Sequence, residues 1–186
     1  SYAMIAYQTA YMKANYPVEF MAALLTSESA NTDKLAISIE ECKRMRIAVL
    51  SPTINDSKSG FTIETKPDSL EGKAIRFGLS AIKNVGQTAI DSIILSRKDG
   101  KFKSLGDLCS RVDGQKVNRK VLESLIKAGD LDEYGKRAAQ LVALDGIRDK
   151  AITDQRQKSH GQTTLFESHA GPGSKAQVEA LPNIEE

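Results

Sequence analysis

"FGLSAIKNVGQTAIDSIILSRKDG", Phe77 to Gly100, reads as two apolar helical segments broken by a tight turn. Leu79 and Ile82 end a short helix, Asn84-Val85-Gly86 turns the chain, and Gln87 to Lys98 forms a second helix. Ile90, Ile93 and Ile94 give that second helix its buried face. So tight a turn leaves the first N–H groups of the following helix pointing together into solvent. With the positive end of the helix dipole they make a place for an anion. Asn84 and Gly86 are residue types that tolerate positive φ, which lets the backbone curl around a phosphate oxygen, and Lys83 adds a full charge. The same residues also fit an ordinary corner between two helices.

A second unit of the same kind follows in "FKSLGDLCSRVDGQKVNRKVLESLIKAGDLDEYG", Phe102 to Gly135. It predicts a helix over about 104–111, a turn through Asp113-Gly114-Gln115, and a helix from about Arg119. Asn118 is the expected N-cap, and Gly129 ends the helix with Leu131 folding back on it. Arg119 and Lys120 then occupy the first turn, where cations oppose the dipole by a few tenths of a kcal/mol each. An anion at the helix start would reverse that sign. The acidic group Asp130, Asp132 and Glu133 sits at the helix end and reads as a solvated cap region.

Upstream, "YAMIAYQTAYMKANYPVEFMAALLTSES" predicts two helices, the second starting at Pro17. Met4, Tyr7, Tyr11 and Ala14 share one face and are expected in the core; Phe20, Met21, Leu24 and Leu25 continue the stripe. A third helix over about 33–46, with Thr32 as N-cap, turns Leu35, Ile39 and Cys42 inward. Pro52, Asn55, Asp56, Ser57 and Gly60 then mark turns, and Phe61–Glu64 is expected to pair with Ala74–Phe77 as a small hairpin. Beyond the second unit a helix spans about 136–155.

Composition narrows the function classes. The 186 residues are 40% hydrophobic and 27% charged, as in soluble globular proteins, and no apolar run approaches the roughly 18 residues of a membrane span. Cys42 and Cys109 stand alone, which suits a reducing cytoplasm and excludes a disulfide framework. Lys and Arg number 13 against 8 acids from Lys73 to Lys136, but 7 against 9 before that segment and 6 against 7 after it. The basic middle fits a polyanion partner, and fits a solvated surface equally well. The chain opens in mid-pattern without an initiator Met, as an excised fragment would.

The succession "IRFGLSAIKNVGQTAIDSII", "FKSLGDLCSRVD" and "VNRKVLESLIKAGDLDEYGKRAAQL" resembles the tandem helix-hairpin-helix module of bacterial DNA polymerase III alpha subunits. "SYAMIAYQTAYMKANYPVEFMAALLTSE" is similar to the end of that family's fingers domain, so the resemblance runs from Ser1 to about Leu144. It implies a module that holds the sugar-phosphate backbone of duplex DNA without reading sequence. The residues expected at phosphates are Lys83, Asn84, Val85, Gly86, Gln87, Thr88, Asn118, Arg119 and Lys120. Helix-hairpin-helix motifs usually carry Gly at both hairpin positions; Asn84 departs from that pattern.

"GQTTLFE", Gly161–Glu167, places Leu165 and Phe166 side by side in a polar tail. Its "QTTLF" is similar to the family's sliding-clamp-binding pentapeptide. Leu165 and Phe166 would enter an apolar pocket of the clamp and Gln162 would fix register at its rim, unless the pair packs back on its own domain. The family's magnesium-binding carboxylates belong to a palm domain upstream of Ser1, so no catalytic residue, metal site or cofactor is expected in this chain. His160 reads as a linker residue, and no nucleophile–base pair or P-loop is visible.

The expected fold is mainly α: a helical bundle segment plus a small β-hairpin, then a tandem helix-hairpin-helix domain. The expected domains are the C-terminal fingers helices (1–48), a connector with the hairpin (49–77), the helix-hairpin-helix domain (78–136), a helix (137–160) and a tail (161–186). The expected partners are duplex DNA, the sliding clamp and other replicase subunits, in the cytoplasm. A DNA-repair nuclease or ligase fragment, or a helical protein-binding module, is the competing reading.

Overall fold

The structure, a computed structural model, describes residues 2–159. Among the described residues, seven α-helices and a three-stranded sheet arrange around two cores. The first core joins α2 (Pro17–Ser27), α3 (Thr32–Arg44) and the sheet, through Val18, Met21, Leu25, Leu35, Cys42, Ile47, Phe61 and Ile75. Pro17 occupies the first turn of α2, where a missing N–H costs nothing. Asn31, not Thr32, caps α3: its side chain accepts from the Lys34 amide at 3.1 Å, and Thr32 is already helical.

α1 (Tyr2–Asn15) departs from expectation. It buries none of its residues, and Met4, Tyr7 and Tyr11 are exposed. The helix packs on α2 and adds one Lys13–Glu41 ion pair to α3, so its apolar face has nothing to lie against among the described residues. Helical spacing names a face; it does not supply the neighbour.

The expected hairpin forms between β2 (Thr62–Thr65) and β3 (Lys73–Arg76), with Ile63 opposite Ile75. A strand the sequence hid, β1 (Ala48–Leu50), pairs parallel to the other edge of β3, giving the order β1-β3-β2. Three residues are too few for alternation to show. After β3 the backbones of Gly78 and Gly60 meet: a Cβ on Gly78 would lie 2.5 Å from the Gly60 carbonyl carbon, so only glycine fits there.

The second core belongs to α4 (Gln87–Ser96), α5 (Leu105–Arg111), α6 (Arg119–Ala128) and α7 (Arg137–Ser159). Phe77 packs on both cores, with its ring edge-on to Phe61 at 4.8 Å. Two clips fix the connector to the helices. Asn55 exchanges hydrogen bonds with both backbone groups of Phe102 and donates to Glu133 and Tyr134, while Arg97 reaches the carbonyls of Ile54 and Ser57. Arg97 opens a single 3-10 turn, Arg97–Asp99, so α4 stops at Ser96 rather than Lys98.

Candidate nucleic-acid interface

Leu79–Ala81 forms one 3-10 turn rather than an α-helix. From it the chain bends through Ile82–Gly86 into α4. The bend is made at Asn84, with φ 67, the left-handed conformation that Asn reaches at lower cost than most side chains. Gly86, expected to share that role, stays extended at φ −82 and serves as the N-cap of α4. It has no side chain to cap with, so the first amides of α4 keep no side-chain partner. The Val85 amide is spent on the Ile82 carbonyl and its side chain is buried. Gln87 is held by Ser59 and Asp91, and the exposed Thr88 borders a separate groove with Arg111, Asp113 and Lys116.

The second corner is differently finished. Asn118 caps α6 as expected, accepting from the Val121 amide at 3.1 Å. Asp113 accepts from the Gln115 amide and pairs with Lys116; those bonds hold its carboxyl below the usual range. This turn thus carries its own anion. Arg119 is also committed: Nε meets Asp145 at 2.7 Å and Nη1 meets Glu123 at 3.1 Å. Its hydrogen bond to Asp145 pushes the guanidinium up and the carboxyl down, and ties α6 to α7. First-turn repulsion at Arg119 is therefore relieved from within the protein, not by an outside anion.

Lys120 is different. It lines, with Lys83 and Asn84, one cleft of about 570 Å3 between the two units. Pro52, Phe77, Ala81, Ile82 and Ala128 give the lining its apolar part, and Glu123, Ser124 and Lys127 complete it. Asn84 Nδ2 donates to Ser124 Oγ at 3.2 Å across the joint, so both corners border the same opening. Glu123 is occupied by Lys127 and Arg119. Among the described residues Lys83 and Lys120 form no ion pair. The sequence reading missed Ser124 and Lys127, although Lys120, Ser124 and Lys127 stand at i, i+4, i+7 on one face of α6.

Asp130 corrects the sequence reading of the acidic cluster. It is 1% exposed, and among the described residues neither carboxylate oxygen has a hydrogen-bond partner of good geometry. Burial pushes its carboxyl up to about 7, against a smaller pull from its own amide and with a further push from Asp132. Asp132 does remain exposed, gripped by Arg137. Among the described residues no group of three or more His, Cys, Asp or Glu could hold a metal. Gln162, Leu165 and Phe166 lie outside the described residues.

A helix-hairpin-helix motif family matches residues 46–141, just over half of the chain. DNA polymerase III subunit alpha of Saccharopolyspora erythraea is 41% identical over 99% of the chain, and that of Campylobacter jejuni 41% over 100%. The Thermus aquaticus protein of the same name is 42% identical over 100%. The chain spans about 15% of the length of these relatives. Two helical corners of the matching motif, within a sequence that aligns along its own length with a segment of these subunits, place the chain in the DNA polymerase III alpha-subunit family.

Proposed function

We propose that this portion of the alpha subunit grips the backbone of duplex DNA without reading sequence, and tethers the polymerase to a sliding clamp. The observation that carries the DNA reading is the meeting of two unpaired cations, Lys83 and Lys120, on one cleft bordered by both corners. Phosphate contacts position a protein on DNA and carry no sequence information. The open N-terminus of α4 beside Lys83 supports the same partner. Gly86, Gln87 and Thr88 serve this grip through the start of α4. Asn118 acts by capping α6, and Arg119 by holding α6 against α7.

In this reading residues 1–48 close the fingers, 49–77 connect, 78–136 hold DNA, 137–160 form a supporting helix and 161–186 carry the clamp motif. DNA-directed DNA synthesis in the cytoplasm belongs to the whole protein, with magnesium held in its palm domain. This portion contributes grip rather than chemistry. Among the described residues no helix is long and apolar enough to cross a membrane.

A salt titration with duplex DNA tests the grip. Neutralising at least two phosphates gives a slope of log Kobs against log salt of about −2 or steeper, alike for unrelated sequences. Salt-independent binding, or none, would instead favour a protein-binding module. For the tail, replacing Leu165 and Phe166 with Ala removes two buried side chains of roughly 1.5–3 kcal/mol each. Capture by a sliding clamp is expected to vanish while duplex affinity holds; undiminished capture would refute that role.

A further inference from the structure

The hydrogen bond that joins the two corners leaves donors of its own unspent. Asn84 gives one Nδ2 proton to Ser124 Oγ at 3.2 Å, and among the described residues its second proton goes to no partner. Ser124 is the acceptor in that bond, so its hydroxyl proton stays free. A hydroxyl that accepts one hydrogen bond donates the next more strongly. Both side chains line the cleft of Lys83 and Lys120, and both are attached beside those lysines. Lys83 precedes Asn84 in the chain, and Lys120 stands four residues before Ser124 on the same face of α6. Two cations and two neutral donors therefore meet across the joint. Glu123, the carboxylate in the same lining, is held by Arg119 and Lys127.

We infer that Ser124 is a phosphate-binding residue: its hydroxyl and the second N–H of Asn84 donate to a non-bridging phosphate oxygen of the strand that Lys83 and Lys120 neutralise. This rests on the duplex-backbone reading above, and adds a contact made by side chains across the joint rather than by the amides of one corner. A lysine ammonium on its four-carbon stem is a mobile point charge, which keeps a strand near the cleft without fixing it. Ser and Asn side chains are short, and a hydrogen bond to an anion sets both distance and direction. One oxygen seated on Asn84 and Ser124 holds both units in register on one strand. Neither donor is charged, so this part of the grip releases no counterions and survives added salt. Asn84 takes the left-handed backbone that glycine would take at no cost, and brings a donor that glycine lacks.

The test compares Ser124→Ala with the parent 186-residue chain on two duplexes of one sequence, one with ordinary phosphodiesters and one with phosphorodithioates throughout. Sulfur in place of both non-bridging oxygens keeps the charge of each linkage but accepts hydrogen bonds only weakly. Alanine suits a helix interior better than serine, so α6 keeps its form. On the phosphodiester duplex the variant is expected to bind about fivefold more weakly at every salt concentration, with the slope of log Kobs against log salt unchanged. On the phosphorodithioate duplex parent and variant should bind alike. An unchanged affinity of Ser124→Ala for the phosphodiester duplex overturns this inference and leaves the DNA reading intact. So does an equal loss on both duplexes, which would make Ser124 a brace between the units. If the parent binds neither duplex, the DNA reading and this one fall together.

Discussion

Asp130→Asn is expected to stabilise the protein at pH 8 by about 3–4 kcal/mol and to leave it unchanged at pH 4. The carboxyl of Asp130 is buried at the joint between α6 and α7, and among the described residues only its own backbone amide draws its pKa down as a donor, too weakly to offset burial. Burial lifts it from the ordinary aspartate value of 3.8 to about 7. Between those two pH values the folded protein holds a proton that the unfolded chain has released. Stability therefore falls as pH rises through this window, and the loss is complete above about pH 7. Each unit of the shift is worth about 1.4 kcal/mol, which sets the ceiling. An amide cannot ionise.

The exposed carboxylates do not confuse the measurement. Asp132 and Asp145 are held below the usual range by Arg137 and Arg119, so whatever they contribute grows with pH, in the opposite direction and at lower pH. Chemical denaturation of parent and variant from pH 4 to pH 8 isolates Asp130 as their difference. A difference that stays constant across that range would mean that the carboxyl finds partners, and would remove the explanation.

The fate of Asp130 also marks where sequence reading stops. The helical corners were legible because local chemistry dictates them. Asn118 can satisfy an amide three residues on, Gly129 alone adopts φ 93 without strain at the end of α6, and the apolar spacing of Ile90, Ile93, Leu122 and Leu125 fits one helical face. Three acids in four residues look solvated for equally local reasons, yet the three part company. Leu131 and Asp130 fold under the joint, where the Asp130 carbonyl accepts from the Ile54 amide, while Asp132 turns out to Arg137. No spacing encodes that the connector returns to this point. α1 errs in the other direction, since a Tyr- and Met-rich stripe names an apolar face without naming what covers it. The candidate site divides along the same line. Lys83, Asn84 and Lys120 could be picked out singly, whereas Ser124 and the apolar residues that line the same cleft depend on how two units 40 residues apart dock.

That docking makes the lysines and Arg119 separable by experiment, although α6 places Arg119 and Lys120 side by side. The double variant Lys83→Glu, Lys120→Glu is expected to weaken duplex binding by about 100-fold at low salt, roughly tenfold for each charge reversed beside a phosphate. The slope of log Kobs against log salt should flatten by about two. Among the described residues neither lysine has an ion pair to lose, so the melting temperature should stay close to that of the parent. Arg119→Glu should behave in the reverse manner. It sets a carboxylate against Asp145 and Glu123, which now hold the arginine at 2.7 and 3.1 Å, and loosens α6 from α7. Thermal stability should drop, while the salt slope keeps nearly its full value because Arg119 is already neutralised. Equal flattening of the slope in both variants would show that DNA draws Arg119 out of its ion pairs, and the cleft would then reach past Lys120 to the start of α6. A double lysine variant that binds duplex as tightly as the parent would remove the cleft from the DNA interface altogether.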